Sequence, residues 1–118
     1  MCGIIGGAGN ITHEGRKMVK LMLLLDQIRG FNSTGIVCVD NQDVYTMKKA
    51  VHSTDFLEMK QANSLLDCVH NKAIIGHNRA ATVGAVTNTN AHPFEHGSIT
   101  GVHNGTFNTY YQTARSSL

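Results

Sequence analysis

Four short stretches of the chain carry side chains able to do chemistry: Cys2 in "MCGIIGG", Arg79 in "KAIIGHNRA", the Asn104 and Gly105 pair in "VHNGTF", and the histidines of "HPFEH" at positions 92 to 96. Cys2 is unusual for its place. If Met1 is removed, one residue holds both a thiol and a free α-amine, and an α-amine with a pKa of about 7.7–8.0 is partly neutral near pH 7. That amine can then act as the base for its own thiol, which is nucleophilic catalysis without a histidine partner. An asparagine followed by glycine can form an oxyanion site, with one donor from the side-chain amide and another from an unobstructed backbone N–H. An arginine at a strand end can clamp a carboxylate through two parallel hydrogen bonds. Each residue also has a structural reading: a small buried hydrophobe for Cys2, a surface cation for Arg79, and a turn for Asn104–Gly105.

Two other patterns fail on context. "HPFEH" fits the H-x-x-E-H zinc-protease spacing, which needs a helix to bring both histidines to one face. Pro93 can open such a helix, but Gly97 stops it within a turn and a β-rich stretch follows. The histidines at 13, 52, 70, 77 and 103 have no ligand-like spacing, so no metal is expected. "GIIGGAGN" lacks both the Gly-x-Gly-x-x-Gly and the Gly-Lys-Ser/Thr signatures of nucleotide loops and reads as a strand-end turn.

Composition narrows the setting. The chain has 118 residues, 42% of them hydrophobic, and a net charge of +2, which suits one domain spanning 1–118 and able to bury roughly two thirds of its unfolded surface. The densest basic cluster, Arg16, Lys17 and Lys20, is too sparse to argue for nucleic acid. The longest apolar run, Leu21 to Leu25, is far shorter than the roughly 20 residues of a membrane helix, so no membrane is expected. That run also lacks the length and cleavage site of a secretory signal, which leaves the N-x-S/T triplets at Asn10, Asn32 and Asn104 accidental. Three cysteines, Cys2, Cys38 and Cys68, form no C-x-x-C pair and fit a reducing compartment, so the expected location is cytoplasmic.

The elements that must position these groups follow from periodicity. Residues 2–8 read as a buried strand ended by glycines. From Glu14 to Arg29, Met18, Leu21, Met22, Leu25 and Ile28 recur at helical spacing, predicting a helix with that stripe buried and Gly30 as its stop. "GIVCVD" and "DVYTMKKA" are strands joined by a short hairpin connection. Ser53 is the expected N-cap of a second helix that buries Phe56, Leu57, Met59, Leu65, Leu66 and Val69. "KAIIGHNRA" and "SITGVHNG" are further strands separated by an ordered loop over 80–97, and residues 107–118 begin a poor helix. Together these predict a layered α+β domain.

Five segments, in order, resemble the class II glutamine amidotransferases, the N-terminal-nucleophile family: "MCGIIGG", "RGFNSTGI", "GHNRAATVG", "NAHPF" and "VHNGTFNTY". The combination is closest to the glucosamine-6-phosphate synthase and phosphoribosylpyrophosphate amidotransferase branches. The resemblance implies an α/β/β/α fold of two packed antiparallel sheets, here incomplete, and hydrolysis of glutamine's side-chain amide with no cofactor. It implies that Cys2 attacks the amide carbonyl to form a thioester, that Asn104 and Gly105 hold the oxyanion, and that Arg79 with Thr82 binds the substrate's α-carboxylate.

The sequence departs from the family pattern at Asn32, where aspartate is usual, and at Val83, where one branch has histidine. The aspartate for the substrate's α-amine belongs downstream of Asn104, and no acidic residue follows Glu95. The domain therefore reads as C-terminally truncated, with a synthase domain or chain to receive ammonia, and with self-association or a completing partner covering exposed strand edges. Activity then requires loss of Met1. The alternative is a non-catalytic remnant serving as a structural or protein-interaction module.

Overall fold

The computed structural model describes residues 1–106, so the helix expected over 107–118 lies outside the described residues. Along the chain run β1 (Gly3–Ala8), α1 (His13–Asp26), a single 3₁₀ turn (Gln27–Arg29), β2 (Ser33–Val39), β3 (Val44–Lys49), α2 (Ser53–Glu58), α3 (Lys60–Leu66), β4 (Ala73–Arg79), β5 (Phe94–His96) and β6 (Ile99–Gly101). Strands β1, β4, β2 and β3, in that spatial order, form one antiparallel sheet, and β5 pairs with β6 in a two-stranded one. The result is an α+β fold with antiparallel sheets.

Alternation along the strands divides the four-stranded sheet into two faces. Ile5, Ile36, Cys38, Met47 and Ile74 point to one side, where Val19 and Leu23 of α1, Phe56 of α2 and Ala62 and Leu66 of α3 complete the core. A buried polar cluster ties these layers together. The side chain of Asn78 donates to Leu23 O (3.0 Å) and its Oδ1 accepts from the Ser53 hydroxyl, with Thr34 Oγ1 3.4 Å away. Thr34 in turn donates to Val51 O at 2.9 Å, so β4, β2, α1 and α2 meet at one satisfied polar node.

The opposite face is covered in part by the segment after β4. Gly35 of β2 lies so close to it that a Cβ there would come within 1.6 Å of His92 O, which only glycine permits. Lys48 of β3 fixes the same segment by donating to Pro93 O (2.9 Å) and Thr89 O (3.3 Å).

Several elements differ from the sequence expectation. α1 does not bury the stripe through Met18, Leu21, Leu25 and Ile28, which are 47–79% exposed; it buries Val19 and Leu23 instead. The helix ends at Asp26, and Gly30 caps the 3₁₀ turn that follows, donating to Gln27 O. The second helix is two helices, broken at Met59, whose extended backbone resets the helical phase and leaves Val69 66% exposed. Ser53 is the first helical residue rather than the cap, because its hydroxyl is bonded to Asn78. The loop expected over 80–97 contains β5, and the strand expected from "SITGVHNG" is confined to Ile99–Gly101.

Candidate active site

The sheet register brings the chemistry-bearing residues to one end. Gly3 of β1 pairs with Asn78 of β4, and Ser33 of β2 pairs with Arg79, so Cys2, the Arg79–Ala81 turn and Asn32 emerge side by side. Cys2 is buried, 9% exposed. Its backbone N–H donates to Oδ1 of Asn104 at 3.1 Å, and its carbonyl accepts from Nε of Arg29 at 3.3 Å. The thiol faces the Ala80 peptide: Sγ accepts from Ala80 N at 3.4 Å and lies 3.8 Å from Ala80 O.

With its Oδ1 on the Cys2 nitrogen, the exposed Asn104 amide presents Nδ2 in another direction. Gly105 has φ of +155°, a conformation that favours glycine, and a Cβ there would lie 3.0 Å from the His103 ring, which packs against this residue. His77 of β4 holds this segment from beneath, its Nε2 being 2.9 Å from His103 O. Since a carbonyl can only accept, Nε2 carries the proton. Burial is the main cause holding His77 below the ordinary histidine range. His92 stacks on His77 with ring centroids 3.9 Å apart, and burial, followed by the charges of His77 and Arg79, lowers its pKa to about 4. Both rings are therefore neutral at pH 7.

Arg79 is buried, and its guanidinium turns toward the following loop, Nη1 donating to Ala85 O (2.9 Å) and Nη2 to Val83 O (2.7 Å). Two of its five donors thus shape the loop that carries Thr82. Thr82 is exposed, and its hydroxyl lies 3.3 Å from that of Thr106, bridging the Arg79 loop to the segment after Gly105. The structure therefore joins Cys2 to Asn104 directly and Thr82 to the Asn104–Gly105 segment through Thr106. The hydrogen bonds of Arg79 run to its own loop.

Sequence reading missed three contributors. Ala80 acts through its backbone, which no side-chain motif reveals. His77 was set aside among histidines without ligand-like spacing, although its place two residues before Arg79 on an alternating strand puts both on the same face. Asn32 stands out in the sequence as an accidental N-x-S/T triplet and as a departure from the usual aspartate, neither of which reveals that its Oδ1 accepts from Ala81 N at 2.8 Å. Cys38 is 1% exposed, and burial together with Cys68 pushes its thiol up to about 12. Among the described residues, no group of three His, Cys, Asp or Glu side chains is arranged to hold a metal ion. Among the same described residues, no helix is long and apolar enough to cross a membrane.

No family model matches the sequence. Among curated proteins, the chain is similar to the glutamine–fructose-6-phosphate aminotransferase (isomerizing) of Bacillus subtilis, with 34% identity over 120 residues, covering all of this chain and 19% of that protein. The protein of the same name from Wigglesworthia glossinidia brevipalpis is 35% identical over 108 residues, 89% of this chain and 17% of its own. That of Chlamydia pneumoniae is 32% identical over 117 residues, 98% and 18% respectively. The chain thus spans about a fifth of the length of the curated relatives it matches. With likeness of this extent and five characteristic segments in order, the chain belongs to the class II glutamine amidotransferase family and matches part of that family's N-terminal domain.

Proposed function

We propose that the chain is the Cys2-bearing part of an N-terminal-nucleophile glutaminase domain, which releases ammonia from glutamine for an acceptor on another domain or chain. The observation that carries this reading is the 3.1 Å hydrogen bond between the Cys2 nitrogen and Asn104 Oδ1, which brings a thiol, its own backbone nitrogen and an asparagine amide into one cluster. Once Met1 is removed, that nitrogen is an amine able to take the thiol's proton. Sγ then bonds to the carbonyl carbon of the glutamine side chain while Asn104 Nδ2 and Gly105 N–H stabilise the oxyanion. The C–N bond breaks, ammonia leaves with the proton held by the amine, and a thioester remains. Water hydrolyses the thioester to glutamate and restores the thiol. Arg79 and Thr82 are the proposed partners of the substrate's α-carboxylate. The free thiols fit a reducing, cytoplasmic setting.

The relatives' names pair glutamine with fructose-6-phosphate, which makes a sugar phosphate the first acceptor to test on this chain's partner domain. The rival reading, a non-catalytic module, is favoured by the engagement of Arg79 Nη1 and Nη2 with Ala85 O and Val83 O. Intact mass spectrometry before and after an electrophilic glutamine analogue decides between them. A glutaminase shows loss of one methionine and a single adduct on Cys2, whereas an inert module shows no adduct even after Met1 has gone.

A further inference from the structure

Asn32 grips the turn after β4 from two sides. Its backbone N–H donates to Arg79 O at 2.9 Å, and its side-chain Oδ1 accepts from Ala81 N at 2.8 Å. Between those anchors sits Ala80, the residue whose N–H points at Cys2 Sγ from 3.4 Å and whose carbonyl lies 3.8 Å from it. A thiol can donate to that carbonyl, and a thiolate can accept from that N–H, so the two peptide units flanking the Ala80 Cα bear on the two protonation states; Asn32 holds the first through its backbone N–H on Arg79 O and the second through its side chain on Ala81 N. A backbone N–H directed at sulfur favours the charged form.

We infer that Asn32 is a positioning residue for the Cys2 thiol: it fixes the Ala80 N–H and carbonyl that meet Sγ, and as a neutral amide it does so without setting a negative charge beside a thiolate. A carboxylate in the same place would accept from Ala81 N equally well. It would also add a like charge on the far side of the Ala80–Ala81 peptide unit from Sγ, which disfavours the thiolate. The other charged or titratable groups around Cys2 are Met1's α-amine on its own strand, Asp26 of α1 against Gly3, Arg29 of the 3₁₀ turn, His77 and Arg79 of β4, and His103 ahead of Asn104. Substitution at Asn32 leaves all of these in place.

The inference deepens the reading of Cys2 as nucleophile and rests on it, but its test does not use glutamine. The full-length chain and its N32D and N32A variants are alkylated with iodoacetamide across a pH series, and modification is read on the Cys2 peptide by mass spectrometry so that Cys38 and Cys68 do not contribute. In N32D the pH of half-maximal alkylation should rise by about half a unit or more, and the rise should shrink at high salt, where the Debye length falls to roughly 3 Å at 1 M. In N32A it should also rise, through loss of the Ala81 anchor, and the rise should be insensitive to salt. A folded N32D variant with the parent's profile overturns the inference, and should N32A fail to fold, N32D alone decides. Failure of glutamine turnover in the unmodified chain would instead strike the glutaminase reading while leaving this comparison intact.

Discussion

Cys2 and Asn104, 102 positions apart in sequence, meet through a hydrogen bond of 3.1 Å from the backbone N–H of one to the side-chain Oδ1 of the other. Because the bond uses the oxygen of the amide, it orients the NH₂ group as well.

Asn104→Ala removes both this bond and the proposed oxyanion donor. Glutamine turnover by the processed chain should fall by about 10²–10³, the loss seen when one oxyanion donor is deleted in other enzymes. The exposed position of Asn104 predicts little change in the denaturation midpoint. Ammonia release and chemical denaturation, measured side by side, check both halves, and full turnover in the variant would remove Asn104 from the mechanism.

Retention of Met1 should abolish turnover without unfolding the chain, since an amide nitrogen cannot accept the thiol's proton. Met1 is 80% exposed, so its loss should leave the packing around Cys2 unchanged. Ammonia release compared between a Met1-bearing and a Met1-free preparation, each verified by intact mass, tests this. Equal rates would require another base.

Asn78→Ala should destabilise the chain by about 2–4 kcal/mol, because Leu23 O loses its side-chain donor and the buried Ser53 hydroxyl loses its Asn78 acceptor. Urea denaturation provides the number. A cost below about 1 kcal/mol would show that water or local rearrangement satisfies these groups once the amide is gone.

Stability should decline as the pH falls from about 6.5 toward 4. His92 has a folded pKa of about 4 against an ordinary value of 6.5, and His77 is shifted in the same direction. Between those values the unfolded chain binds protons that the folded chain refuses, so the stabilisation from keeping these rings neutral is complete above the unfolded pKa and is lost as the pH drops. His92→Phe keeps an aromatic ring against His77 but removes one titrating group, and should flatten the slope. Denaturation midpoints across this pH range check the prediction, and an unchanged slope in the variant would assign the decline to other groups.

The sequence alone made the family legible, and with it the proposed nucleophile and the proposed Asn104–Gly105 oxyanion pair, because these depend on residue types in short fixed order. It also predicted the β2–β3 hairpin: two β-rich runs flank a turn in which Asp40 accepts from the N–H groups of Gln42 and Asp43. Helix faces were not legible in the same way. α1 is apolar around much of its circumference, so one stripe through Met18, Leu21 and Leu25 and another through Val19 and Leu23 both satisfy helical spacing.

Tertiary packing chose between those stripes: Gly76 of β4 leaves room for Leu23, whose Cδ1 would lie 2.8 Å from a Cβ at that glycine. The break at Met59 likewise depends on long-range fit, with Phe56 and Leu66 both entering the core from separate helices. At the site, residue types announced Cys2 and Asn104, but only the antiparallel register placed Ala80 against the thiol and Asn32 behind Ala80. Backbone donors and neutral amides leave no motif, since any residue supplies the first and many positions tolerate the second. What the sequence determined was the identity of the candidate reacting groups, which is covalent; what the tertiary structure decided was their surroundings, which arise from contacts between segments far apart in the chain.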